Sequence, residues 1–263
     1  MFHYFGYGSN IDLTSLRAKG VAPLSSEYAV LTGWRLAFSV RHFFRHEGGV
    51  ANIIPSEDPT DEVHGMVHLC EDEALLKLDA AEAYGYGYDR IEVEIEAQAH
   101  RSRCKAVAYV GMPPFLDDSC LPSRRYLNIL CNGAQKAGLN AEYLDRLRRH
   151  PIHPKQVYPP FIIPYAPDVH YTRDTLPSHC TALAGAVFDM SGARPEHAYL
   201  KQFFGGRDMT LFHLKRMDTS DGSETLEDVI FDRLNLAQHL YLAEYLHEYC
   251  AEYSFVGRYD YEP

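Results

Sequence analysis

The sequence holds one tryptophan, no two cysteines spaced as C-x-x-C, and no apolar run approaching the eighteen or so residues that span a bilayer. Its six cysteines (Cys70, Cys104, Cys120, Cys131, Cys180 and Cys250) are scattered along the chain. That spacing suggests neither a zinc site nor a disulfide framework, and reduced thiols in a cytoplasmic protein are the expectation. The opening MFHYFGYGSN lacks a basic stretch followed by an apolar one, so no secretory signal is expected. Positive charge is also short: 25 Lys and Arg stand against 36 Asp and Glu, for a formal net charge of −11. Phosphate binding needs clustered cations, so neither nucleic acid nor an anionic membrane is expected as a partner. Small-molecule substrates are not excluded, because a pocket can be locally positive on an acidic protein.

What is present suits one large domain or two small ones. A hydrophobic fraction of 46% over 263 residues can fill real cores. Residues 2–6 form a short apolar strand, and Asp12 offers an N-cap for a helix over 13–19 that Gly20 stops. Residues 28–40 read as strands around Thr32-Gly33, and 50–54 and 63–69 are apolar runs of strand length. Leu75, Leu76, Leu78 and Ala81 give 71–82 helical spacing. The strict alternation Ile91-Glu92-Val93-Glu94-Ile95 predicts a half-buried strand that 105–110 can pair with. Residues 123–137 and 141–149 read as helices. Strands with helices laid over them predict an α+β fold built on a small closed barrel.

Seven prolines, Pro167 among them, fall between Pro151 and Pro177, which excludes a regular helix there. Residues 151–180 are therefore expected to be a connector or a strap. Beyond it, 181–189 is strand-like and 197–204 and 236–253 are helical. In the last helix Leu236, Leu240, Ala243, Leu246, Cys250 and Tyr253 are expected to line one face.

The run Tyr4-Phe5-Gly6-Tyr7-Gly8-Ser9-Asn10 sets two glycines at a strand end just before a helix. Backbone N–H groups near a helix start favour negative charge, such as a carboxylate or an amide oxygen gaining charge. Alone, the run reads as a strand-to-helix turn needing positive φ at Gly8. It does not stand alone. Gly48-Gly49-Val50-Ala51-Asn52-Ile53, Val63-His64-Gly65-Met66-Val67, Leu78-Asp79-Ala80-Ala81-Glu82, Tyr88, Pro122-Ser123-Arg124-Arg125-Tyr126 and Gly133-Ala134 follow in order. Over residues 2–150 this series resembles the γ-glutamylcyclotransferase family. The resemblance implies a compact barrel with a cavity, in which a γ-glutamyl amide closes on itself to release 5-oxoproline. It implies Glu82 as the catalytic acid/base. It also implies Tyr4, Phe5, Gly6, Tyr7, Gly8 and Ser9 as the loop that holds the γ-glutamyl group, with Tyr126 helping to bind it. Burial is expected to raise the pKa of Glu82 toward neutrality, and no metal or organic cofactor is needed. Ala83 follows Glu82 where a glycine is frequent in the family, and the Tyr84-Gly85-Tyr86-Gly87-Tyr88 stretch is a further departure.

Histidine pairs His42/His46 and His150/His153 lack a third ligand in a helical context, so metal binding is not expected. The runs from Ala184 to Ser191, Gly205 to Thr210 and Tyr253 to Arg258 resemble cytochrome-b5-like domains, in particular progesterone-receptor-like haem or steroid binders. Ala193 stands where the first haem histidine would fall, and His197, Tyr199 and His213 sit at other offsets. The expectation over 181–263 is a smaller α+β accessory domain without haem, which could border the pocket or complete a homodimer. The rival reading is a haem- or apolar-ligand-binding protein acting through this domain, with residues 1–150 as scaffold.

Overall fold

The computed structural model describes residues 1–165 and 168–261; Pro167 and the last two residues of the expected C-terminal domain lie outside them. The chain divides into two units, Met1–Lys155 and the part from Gln156 onward. The first runs β1 (Phe2–Gly6), α1 (Leu13–Ala18), β2 (Ser25–Thr32), β3 (Trp34–Arg41), β4 (Gly49–Pro55), β5 (Glu62–Cys70), α2 (Ala74–Ala81), β6 (Tyr88–Ala97), β7 (Ser102–Gly111), α3 (Arg124–Lys136) and α4 (Ala141–Arg148). Five strands close into a barrel in the order β1-β5-β2-β6-β7, and β3 and β4 pair separately. The barrel closes where Tyr4 of β1 meets Val107 of β7 in parallel, while β6 and β7 form a hairpin from Tyr88↔Gly111 to Ala97↔Ser102.

Alternation along β6 does what period-2 patterning demands. Val93 and Ile95 are buried with Phe5, Leu31, Val63 and Ala108, while Glu92 and Glu94 stay exposed. Helices α3 and α4 cover that core with Leu127, Leu130, Ala134, Tyr143, Leu144 and Leu147. A smaller cluster joins Tyr4 and Tyr109 of the barrel to Leu16 of α1 and Leu78 of α2. Burying each of those leucines stabilises by roughly 1.5–3 kcal/mol. Their packing fixes α1 and α2 over the same end of the barrel, which is the arrangement the site depends on.

The second unit holds β8 (His170–Tyr171), β9 (Cys180–Leu183), β10 (Ala186–Asp189), α5 (Ala198–Phe204), β11 (Arg207–Asp208), α6 (Thr210–Leu214), α7 (Leu226–Ile230), α8 (Leu236–Glu252) and β12 (Ser254–Tyr259). Its strands form one sheet in the order β11-β9-β10-β12-β8, so both units are α+β. The boundary between the two units falls inside the proline-rich stretch, after Lys155, and residues on either side of it pack on their own unit. Ile152 packs on the first core, and the His153 N–H donates to the Pro122 carbonyl at 2.8 Å. Later in the stretch, the Tyr158 hydroxyl donates to Glu248 and its ring stacks on His247 at 5.0 Å, both on α8.

The expected face of α8 is corrected at its start, while Leu246 and Tyr253 are buried as expected. Leu236 and Leu240 are 74% and 56% exposed, whereas Tyr241, Leu242, Tyr245, Leu246 and Tyr249 are buried. Tyrosine rings with Leu242 and Leu246, not the leading leucines, supply its apolar area. His197 and His213 are also buried, His197 hydrogen-bonded to the Tyr253 hydroxyl and His213 to that of Tyr249, each at 2.9 Å. Among the described residues no helix is long and apolar enough to cross a membrane.

Candidate active site

Strand β1 ends at Gly6, and a 3-10 turn, Ser9–Ile11, carries the chain into α1. Asp12 caps that helix, its Oδ1 accepting from the backbone N–H groups of Thr14 and Ser15. After only six residues α1 ends, and Lys19 occupies its C-cap. Glu82 is the C-cap of α2, its N–H bonded to the Leu78 carbonyl at 2.8 Å. Both helices therefore deliver one charged side chain from their last position to a common place. Lys19 Nζ donates to Glu82 Oε1 at 2.8 Å and to Asn10 Oδ1 at 2.7 Å, and Asn10 Nδ2 donates to Glu82 Oε1 at 2.9 Å. The Lys19 side chain is 5% exposed and that of Glu82 15%. The ammonium of Lys19 thus stands in direct contact with the Glu82 carboxylate.

Asp79, three residues before Glu82, ties α2 down: it accepts from the Tyr109 hydroxyl at 2.7 Å and pairs with Arg90 at 3.4 Å. Next to Glu82, Ala83 has φ +51°, the left-handed region that explains why glycine suits the position.

Tyr126 arrives from α3. Ser123 is the N-cap, accepting from the Tyr126 N–H at 3.1 Å and donating to buried Glu47 at 2.7 Å. Arg125 donates to the same carboxylate at 2.6 Å. Burial pushes the Glu47 carboxyl up, but Arg125 and His42 overcome this and hold it well below the usual range. The motif around Tyr126 is thus a capping and ion-pair device that aims the tyrosine. Its hydroxyl accepts from the Ala51 N–H at 3.1 Å, and the Ala51 carbonyl accepts from Tyr88 at 2.9 Å. Strand β4 is held between the two rings.

Tyr4, Tyr7, Gly8, Ser9, Asn10, Ala51, Glu82, Tyr88, Tyr109 and Tyr126 line one cavity. Burial pushes the phenols of Tyr4, Tyr7 and Tyr88 well above their ordinary value and that of Tyr126 up to about 12, so all four are neutral hydroxyls near pH 7. His68 stacks on Tyr4 at 5.8 Å and faces the Asn10 carbonyl at 3.0 Å. Burial lowers its pKa to about 4, so it is a neutral imidazole that donates to this carbonyl.

Of the residues expected at the site, Glu82, Tyr4, Tyr7, Gly8, Ser9 and Tyr126 surround this cavity. Phe5 and Gly6 are not among its lining. The Phe5 ring is fully buried in the barrel core, and a Cβ on Gly6 would come within 3.0 Å of the Asn10 carbonyl. Gly8 has φ −104°, so positive φ is not what it supplies. Asn10, Lys19, Ala51, Tyr88 and Tyr109 were missed as site residues. Asn10 closes the Y-G-S-N run and Tyr88 follows the glutamate motif, so both were within reach; Lys19 carries no local signal.

A closed five-stranded barrel with helices laid over it defines the class as a small α+β barrel fold, and comparison narrows it. The model of the AIG2-like family matches residues 62–147. The γ-glutamylcyclotransferase of Bos taurus is 30% identical over 151 residues, 56% of this chain and 77% of that protein. The γ-glutamyl cyclotransferase aclK of Aspergillus oryzae is 26% identical over 168 residues, 57% of this chain and 62% of that protein. A solved structure titled γ-glutamyl cyclotransferase superposes with a TM-score of 0.51 at 28% identity, covering 58% of this chain and 89% of that one. The chain belongs to the γ-glutamylcyclotransferase family. It spans about three fifths of the length of the Aspergillus relative.

Proposed function

We propose that the first unit is an enzyme that cleaves γ-glutamyl amides by intramolecular aminolysis, releasing 5-oxoproline and a free amine. The observation that carries this reading is Glu82: a carboxylate at the edge of a cavity otherwise walled by neutral hydroxyls and a glycine turn. In a γ-glutamyl amide the α-amine and the γ-carbonyl belong to one molecule. Holding them in the attacking conformer is worth roughly 7–11 kcal/mol of barrier by analogy with intramolecular reactions. The amine nitrogen bonds to the γ-carbon and closes a five-membered ring, while Glu82 accepts the proton that the nitrogen sheds. The carbonyl electrons collapse back, the bond to the leaving nitrogen breaks, and Glu82 returns the proton to that nitrogen. One carboxylate acting first as base and then as acid contributes about 10²–10⁴ in rate. The Tyr126 hydroxyl, accepting from Ala51, can direct its own proton at a substrate oxygen, and so help to hold the γ-glutamyl group.

The test is incubation of the purified chain with a panel of γ-glutamyl amides: glutathione, γ-glutamyl dipeptides and γ-glutamylamines. Formation of 5-oxoproline and free amine in equal amounts from at least one of them is the expected result. No 5-oxoproline from any of them would overturn the proposal.

A further inference from the structure

An ammonium group has donors and no acceptor, so the Asn10 atom facing Lys19 is the amide oxygen. That choice turns the amide nitrogen toward both Glu82 and the Tyr4 hydroxyl. Glu82 Oε1 thus receives two converging donors, Lys19 at 2.8 Å and Asn10 at 2.9 Å. Lys19 does not line the cavity, and it is too enclosed to serve solubility. A buried lysine is costly unless its charge is matched, and here it is matched by the residue read as the proton carrier.

The phenols that share the cavity with Glu82 carry no positive charge. Tyr4 from β1, Tyr7 from the turn after it, Tyr88 from β6, Tyr109 from β7 and Tyr126 from α3 are neutral phenols, their pKa values raised by burial. Asp79 on α2 is matched by Arg90 and Tyr109, and His68, stacked on Tyr4, is neutral.

We propose that Lys19 is the positioning residue of this site: its ammonium fixes the Glu82 carboxylate and the orientation of the Asn10 amide, so that Glu82 meets the substrate ionised and aimed. The proposal rests on the reading of Glu82 as the proton-transfer group. It assigns to the C-cap of α1 a role beyond ending a helix. Because Lys19 acts through Glu82, its loss touches the proton-transfer step and leaves substrate affinity nearly alone.

The experiment compares Lys19→Arg, Lys19→Gln and Glu82→Gln with the wild type, each checked for folding by circular dichroism. The readouts are kcat and KM across pH with a γ-glutamyl amide that the wild type turns over. Lys19→Arg keeps the charge and is expected to stay within about threefold of wild type. Lys19→Gln can still hydrogen-bond but carries no charge. It is expected to lose about tenfold or more in kcat with KM little changed, and the acid limb of its pH profile should move to higher pH, because the carboxylate is harder to ionise without the cation. A folded Lys19→Gln variant with wild-type kcat and an unmoved acid limb would overturn the proposal, as would a loss confined to KM. If Lys19→Gln cannot be folded, Lys19→Arg decides: the same kcat with an unmoved acid limb supports the role, and a loss confined to KM overturns it. Near-wild-type turnover by Glu82→Gln would instead remove the reading of Glu82 beneath it.

Discussion

The Tyr126 hydroxyl lies 2.8 Å from the point where a Cβ on Gly8 would stand. The backbone of Gly8 is in a negative-φ conformation, so what the turn requires is the missing side chain. Gly8→Ala is therefore expected to push the hydroxyl off the Ala51 N–H while leaving the barrel folded. A misplacement of about 1 Å can cost about 100-fold. Steady-state kinetics should show a loss of at least tenfold in kcat/KM; wild-type kinetics would mean that Tyr126 has no fixed role.

Glu82→Gln tests the acid/base assignment directly. Glutamine keeps an oxygen that can accept from Lys19 and Asn10, so circular dichroism and melting should stay near wild type. It cannot accept a proton, and turnover is expected to fall by about 10²–10⁴. A fall smaller than about tenfold would assign the proton transfer elsewhere.

Tyr126→Phe separates binding from chemistry. A hydroxyl that only holds the γ-glutamyl group acts alike in the ground and transition states, so KM should rise more than kcat falls. A collapsed kcat at unchanged KM would place Tyr126 in the chemical step instead.

Gly133→Ala probes how the turn and α3 are held together. A Cβ at Gly133 would stand 2.7 Å from the Asp12 backbone nitrogen and 2.9 Å from its Cβ, so backbone must move. Overpacking of this kind costs about 1–3 kcal/mol. The lower stability should appear in melts followed by Trp34 fluorescence, and a reduced kcat/KM should accompany it. A stable and fully active variant would show that α3 can shift without disturbing the site.

Much of the barrel was legible because its signals are local. The alternation over 91–95, the Asp12 cap and the Gly33 turn at φ +78° are each written within a few residues. Glu82 and Tyr126 were legible through ordered motifs whose physical basis the structure supplies: Asp79 anchors α2, and Ser123 and Arg125 aim Tyr126. Where the sequence misled, distance or chemistry hid the signal. The stretch 181–189 read as one strand but is a hairpin, turning at Ala184 and Gly185, both at positive φ. Alanine is not a residue that announces such a turn. The buried face of α8 combines Tyr241, Tyr245 and Tyr249 with Leu242 and Leu246, and a count of leucines passes over the three tyrosines. Lys19 meets Glu82 across 63 residues, through the packing of Leu16 and Leu78, and no window of sequence reports that meeting.

Buried groups of the two units are expected to contribute to pH dependence with opposite signs between about pH 4 and 6. In the barrel unit, burial lowers the pKa of His64 and His68 from 6.5 to about 4. As pH falls through that window the unfolded chain takes up protons that the native unit refuses, so stability is lost on acidification. Each histidine contributes on the order of 1 kcal/mol or more. In the second unit, burial raises Asp208 from 3.8 to about 6, only partly opposed by hydrogen bonds from Thr210 and Tyr261. There the native state keeps a proton that the unfolded chain has given up, so stability falls as pH rises from about 4 toward 6. Trp34, the one tryptophan in the sequence, lies on β3 and reports the barrel; hydrogen exchange of α8 amides reports the other unit. Barrel melts should drop from pH 7 to 4.5, while the Asp208 contribution to α8 protection grows. Asp208→Asn should flatten the second trend, since the bonds from Thr210 and Tyr261 fall on one oxygen, Oδ1, which asparagine retains. A barrel more stable at pH 4.5 than at 7, or an α8 trend unchanged in Asp208→Asn, would contradict these assignments.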